Sequence, residues 1–184
     1  MNPWLRTLDR LVHRLEVVSE VSGRAIAWLA VALVLLVSYN VGMRYLFHSG
    51  RSVAPQELEW HLFALLFLFA AAYTFKYDEH VRVDILYQRL SAHGRAWVDF
   101  IGGVVVLLPF CLLIISSSWP FVSNAFVMGE GSPDPGGLAY RYLLKAAIPG
   151  GFALLALQAI ASILRNLRVL LGGRGQPYVH KGEG

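Results

Sequence analysis

Four long apolar stretches dominate this sequence, and none of them contains an Asp, Glu, Lys, Arg or His residue. A helix needs about 20 mostly apolar residues to cross a lipid bilayer. The first and fourth stretches reach that length by themselves, and the second reaches it once the turn from Pro55 is included. The third continues as a weakly apolar segment as far as Met128. Four membrane crossings are therefore predicted. The stretches are Ala25–Met43, Leu62–Phe75, Phe100–Ser118 and Ala146–Leu164.

The composition supports this fold class. Of the 184 residues, 56% are hydrophobic and 15% are charged, whereas soluble domains carry about 25% charged residues. We expect an all-α membrane protein with transmembrane helices at about 24–46, 54–76, 95–118 and 146–165. Residues 1–171 are predicted to form one integral membrane domain, and the Gly-rich, polar residues 172–184 a flexible cytoplasmic tail.

The distribution of positive charge predicts the orientation. Of the 16 Lys and Arg residues, 12 lie in the N-terminal segment, the middle loop and the C-terminal tail, and 4 lie in the other two loops. Loops rich in Lys and Arg stay in the cytoplasm. Both termini and the middle loop are therefore predicted to be cytoplasmic. The net charge of +4 belongs to loops beside membrane helices and does not indicate nucleic-acid binding.

Two segments outside the crossings have the periodicity of amphipathic helices. Apolar residues recur at intervals of three or four from Leu8 to Val18, and again from Val83 to Leu90, with charged residues between them. Both segments are too polar to span and are predicted to lie in the membrane interface against lipid. The first is either an anchor for the first crossing or a docking element for a partner.

Several residues predict local features of the crossings. Pro109 is expected to bend the third helix, because its ring removes one backbone hydrogen bond. In the fourth helix, Pro149, Gly150 and Gly151 allow either a local break or close backbone packing. Asn40 could bond across to another helix.

The residues do not form a catalytic or cofactor-binding pattern. None of the six His residues is central to a crossing, so a haem with axial ligands inside the bundle is not expected. We find no nucleophile–base pair, phosphate-binding loop or metal-ligand cluster. Glu57 and Glu59 are the carboxylates nearest to a crossing, and their place in the first turn of the second helix predicts that water solvates them. The sequence thus predicts neither an enzyme nor a bound cofactor or metal.

Three polar motifs resemble a known family. They are Gln56-Glu57-Leu58-Glu59-Trp60, His80-Val81-Arg82-Val83-Asp84, and Pro135-Gly136-Gly137-Leu138 followed by Arg141, Lys145, Ile148-Pro149 and Gln158. From the first crossing to about Arg168, the chain resembles the small membrane subunit of tripartite ATP-independent periplasmic (TRAP) transporters. It is most similar to the branch labelled the mannitol/chloroaromatic type.

The resemblance implies a multi-pass subunit of a bacterial inner-membrane importer with three parts. A periplasmic solute-binding protein would deliver a small organic solute, and a large membrane subunit would bind sodium and move the solute. The small subunit would act as a scaffold for the large one. Candidate partner-interface residues are Glu57, Glu59, Arg82, Asp84, Arg141 and Lys145.

Other interpretations stay open at this stage. In these interpretations the two glutamates are helix-start carboxylates, and Arg141 and Lys145 are external anchors of the fourth helix. Arg82 and Asp84 either begin the surface helix or pair with the partner chain or lipid headgroups. An independent, homo-oligomeric carrier or channel is the alternative function. A membrane anchor for a redox enzyme would instead show a haem absorption band.

Overall fold

The computed structural model describes residues 3–46, 53–77, 87 and 89–171. The helices are α1 (Pro3–Leu46), α2 (Val53–Lys76), α3 (Ala92–Ile101), α4 (Leu108–Val127) and α5 (Arg141–Leu170), with a π-helical segment at Gly102–Leu107 between α3 and α4. Four of the helical stretches are long and apolar enough to cross a membrane, namely Thr7–Leu46, Val53–Lys76, Ala92–Val127 and Arg141–Leu170. The prediction of an all-α protein with four spanning helices is confirmed.

Helix α1 is continuous over 44 residues. The amphipathic segment around Leu8 is therefore the first part of the first spanning helix and not a separate element. The second predicted amphipathic segment falls mostly on residues 78–86 and 88, which lie outside the described residues, as do Arg82, Asp84 and the predicted tail.

Helix α5 is the centre of the bundle. Within its most apolar window, 44% of the residues are buried, compared with at most 11% in the other three spans. Its buried positions are mainly small residues, which allow helices to approach closely. A Cβ atom on Gly151 would lie 2.8 Å from the backbone oxygen of Leu68 in α2. Since α5 runs unbroken through Pro149, close packing is the alternative that the structure adopts.

The third crossing changes its hydrogen bonding just before Pro109. Ser91 is the N-cap, and its side-chain oxygen accepts a hydrogen bond from the Gly94 backbone N–H at 3.2 Å. Over Gly102–Leu107 the helix widens to π geometry, and the Leu108 N–H bonds to the carbonyl of Gly103. Pro109 has no N–H to continue the α-helical pattern, so the wider turns accommodate the missing donor.

Ion pairs fasten the first part of α1 to the end of α5. Arg165 Nη1 lies 2.8 Å from Glu16 Oε1, and Arg168 pairs with Asp9. We call this end of the bundle the termini end.

A third carboxylate joins α1 to the end of α2. The Glu20 side chain accepts hydrogen bonds from Lys76 Nζ at 2.8 Å and from the Tyr77 hydroxyl at 2.5 Å, and Arg24 Nε also donates to it. The bond to Glu20 raises the pKa of Tyr77, because the phenol must keep its proton to donate. The charges of the amphipathic segment thus hold α1 in place against two other helices.

Candidate functional site: the Glu57 cluster

Glu57 lies buried at the opposite end of the bundle, which we call the loop end. Its side chain is 6% exposed and accepts three hydrogen bonds from outside its own helix. Ser132 Oγ donates at 2.5 Å, the Leu138 backbone N–H at 2.6 Å, and Arg141 Nη2 at 3.3 Å. We call these four residues the Glu57 cluster. A buried carboxylate needs partners of this kind to offset its lost hydration. The prediction that water solvates Glu57 is therefore wrong.

The loop between α4 and α5 is folded over this carboxylate. Within the loop, Ser132 N–H bonds to the carbonyl of Leu138 at 2.9 Å, and Gly137 N–H bonds to that of Asp134 at 3.0 Å. A Cβ atom on Gly137 would lie 2.7 Å from Glu57 Oε2 and would also meet the Ser132 side chain. Glycine at position 137 therefore allows the loop to approach the carboxylate.

A second charged pair supports the loop from the α5 side. Lys145 Nζ pairs with the Glu130 carboxylate and lies 3.9 Å from the ring centroid of Phe121. The Arg141 backbone N–H bonds to the carbonyl of Glu130 at 2.9 Å. The beginning of the loop is thus tied to the start of α5 through Glu130, so the basic residues predicted as candidate partner contacts make contacts within the chain.

Arg141 also contacts an aromatic ring of α2. Its guanidinium carbon lies 5.7 Å from the ring centroid of Trp60, one turn beyond Glu57 on α2, in a cation–π arrangement. Arg141 Nε is buried and has no hydrogen-bond partner among the described residues. The arginine therefore joins the carboxylate to the partly exposed aromatic surface beside it.

Glu59 belongs to a separate contact. Asn40 Nδ2 in α1 donates to Glu59 Oε1 at 2.5 Å, which ties α1 to the first turns of α2. This confirms that Asn40 bonds to another helix. The structure thus brings Glu57 and Arg141 together and places Glu59 in a different contact between helices.

Sequence reasoning missed Ser132, Leu138 and Glu130 as members of this region. Ser132 and Leu138 are 75 and 81 residues away from Glu57 in the chain, so no local spacing could pair them. The available signal was weaker: a polar, turn-rich loop lies between two predicted spans. The described residues contain no group of three or more His, Cys, Asp or Glu side chains suited to a metal ion. The Glu57 cluster fixes the conformation of the loop and therefore the surface that the loop presents.

Residues 33–169 match the family described as tripartite ATP-independent periplasmic transporters, DctQ component. The match covers most of the chain, including all of α2 and the whole Glu57 cluster. The chain therefore belongs to the DctQ family of TRAP transporter membrane subunits. With four spanning helices, it is a multi-pass protein of the bacterial inner membrane.

Two relatives agree with this assignment. A Haemophilus influenzae protein assigned as a TRAP transporter small permease is 36% identical over 115 residues, which cover 62% of this chain and 70% of that protein. The C4-dicarboxylate TRAP transporter small permease protein DctQ of Vibrio cholerae is 29% identical over 150 residues, which cover 71% of this chain and 64% of the relative. The chain thus spans about two thirds of the length of these relatives. Both are transporter subunits and not enzymes.

Proposed function

We propose that this small permease subunit is a scaffold for the large membrane subunit of a TRAP transporter. The complex would take up a small organic solute by sodium coupling, after a periplasmic binding protein delivers the solute. The observation that carries the proposal is the absence of Asp, Glu, Lys, Arg and His from the four apolar stretches. A carrier that exchanges ions by itself would place a charged group at that depth.

The buried centre of the bundle agrees with a supporting role. Gln158 in α5 is fully buried, and neither atom of its amide has a hydrogen-bond partner among the described residues. This amide is neutral, and small residues such as Ala159 and Ala161 are buried beside it in the chain. Such a centre favours helix packing over the passage of a solute.

The orientation that we propose follows the positive-inside rule. The termini end would face the cytoplasm, and the loop end would face the periplasm. In this orientation, the loop held by Glu57 is the part of the chain that a solute-binding protein could reach. Because the cluster uses the Glu57 carboxylate internally, the contact would come from exposed loop residues such as Asp134 and Tyr140.

Co-purification tests the proposal. An affinity-tagged chain, co-expressed with a large TRAP subunit, should retain that subunit in mild detergent. A reporter fused after Leu171 should be active only in the cytoplasm, and one inserted into the loop at Gly129–Gly137 only outside. A chain that purifies as a homo-oligomer without the large subunit would favour the alternative of an independent carrier. A reversed reporter pattern would overturn the proposed orientation.

A further inference from the structure

In the first part of α1, the acidic and the basic side chains lie on opposite sides of the helix. Its three carboxylates, Asp9, Glu16 and Glu20, all face the bundle and pair with cations of α5 and α2. This leaves the opposite side of the helix without acidic residues over the described part of this segment.

The outward side of the same segment is basic and aliphatic. Arg10, Arg14 and Arg24 are exposed at helical spacing with Val17 and Val21, and Val21 is 62% exposed. Arg24 also contacts Glu20. Neither Arg10 nor Arg14 has an ion-pair partner among the residues that the structure describes. We call these five residues the arginine–valine strip.

The neighbouring contacts place this strip at the edge of the membrane. Glu20 pairs with Lys76, the last residue of α2, and Glu16 pairs with Arg165, directly after the last apolar stretch. The strip therefore lies where the spanning helices leave the apolar layer. Trp28 lies one turn after Arg24 on the same helix and is 74% exposed. This position suits the headgroup level, where aromatic residues are enriched.

We propose that the arginine–valine strip binds the headgroups of anionic phospholipids. Valine side chains can enter the acyl boundary while arginine side chains extend to the phosphates. Each arginine near an anionic surface contributes about 1 kcal/mol. An acidic protein surface would suit the arginines, but the exposed valines are followed on α1 by further exposed apolar side chains such as Val31 and Leu35, which favours lipid. This inference is independent of the transport function.

Lipid binding to the purified chain tests the inference. Native mass spectrometry in a non-ionic detergent would measure the affinity for added phosphatidylglycerol and for phosphatidylcholine. We expect Arg14→Gln to weaken phosphatidylglycerol binding about fivefold, and the double change Arg10→Gln/Arg14→Gln to weaken it about 25-fold. Binding of phosphatidylcholine should not change in either variant.

Two controls separate this site from a general effect of charge or folding. Arg44→Gln removes an exposed arginine from the other end of α1 and should change the affinity less than twofold. The double change Arg10→Lys/Arg14→Lys keeps the charge and should bind as the unmodified chain does. An equal loss in Arg44→Gln would overturn the proposal. Unchanged lipid binding in the double Gln variant would also overturn it. If that variant, co-expressed with the large subunit, also failed to retain it in mild detergent, the strip would bind an acidic protein surface.

Discussion

Replacing Glu57 with Ala is expected to release the loop between α4 and α5 and to destabilise the whole chain. The substitution removes the acceptor of three hydrogen bonds and leaves the Arg141 guanidinium partly buried without its carboxylate. Breaking a buried charge pair from one side is among the most damaging single changes. We expect the melting temperature in detergent to fall by more than about 5 °C.

Limited proteolysis would show where the damage lies. Trypsin should cleave after Arg141 faster in Glu57→Ala than in the unmodified chain, because the loop no longer holds the start of α5. Glu59→Gln is the matched control, since its one hydrogen-bond donor among the described residues is the neutral Asn40 and it lies outside the cluster. It should melt close to the unmodified chain and keep Arg141 protected. If Glu57→Ala melted like the control and kept that protection, the cluster would not hold the loop.

Gly151→Ala is expected to destabilise the packing of α2 against α5. The new methyl group would lie 2.8 Å from the backbone oxygen of Leu68, and backbone cannot move aside as a flexible side chain can. Helices α2 and α5 would have to separate, at a cost of about 1–3 kcal/mol. Thermal unfolding in detergent measures this loss.

Gly42→Ala provides the matched control. Gly42 is also helical, but a Cβ atom there would meet nothing within 4 Å. Since alanine favours a helix over glycine by about 1 kcal/mol, this variant should be as stable as the unmodified chain or slightly more stable. Equal destabilisation by both changes would mean that the close approach of α2 and α5 is not what limits position 151.

The membrane fold could be predicted from the sequence because it depends on local information. Each apolar stretch identifies its own span, and Ser91 marks the start of the third by capping the Gly94 N–H. The continuity of α1 was harder to foresee, since the charges before Arg24 suggested a separate surface helix. The three carboxylates among those charges instead pair with Arg165, Arg168 and Lys76, which are far away in the chain.

The environment of Glu57 could not be predicted for the same physical reason. The sequence predicts Glu57 in the first turn of α2, where a carboxylate can reach water, but the helix begins at Val53 and Glu57 is buried by a distant segment. Here the burying segment is the loop that contains Ser132 and Leu138. The resemblance to the family named Glu57 and Arg141 as candidate partner-interface residues, and it did not indicate that they bind each other.

Solute uptake into proteoliposomes tests most directly whether the transport path lies outside this chain. Three preparations are needed: this chain alone, the large subunit alone, and both together, each with the loaded solute-binding protein outside and an inward sodium gradient. We predict uptake only when both membrane subunits are present. Sodium-dependent uptake by vesicles that contain only this chain would contradict the account.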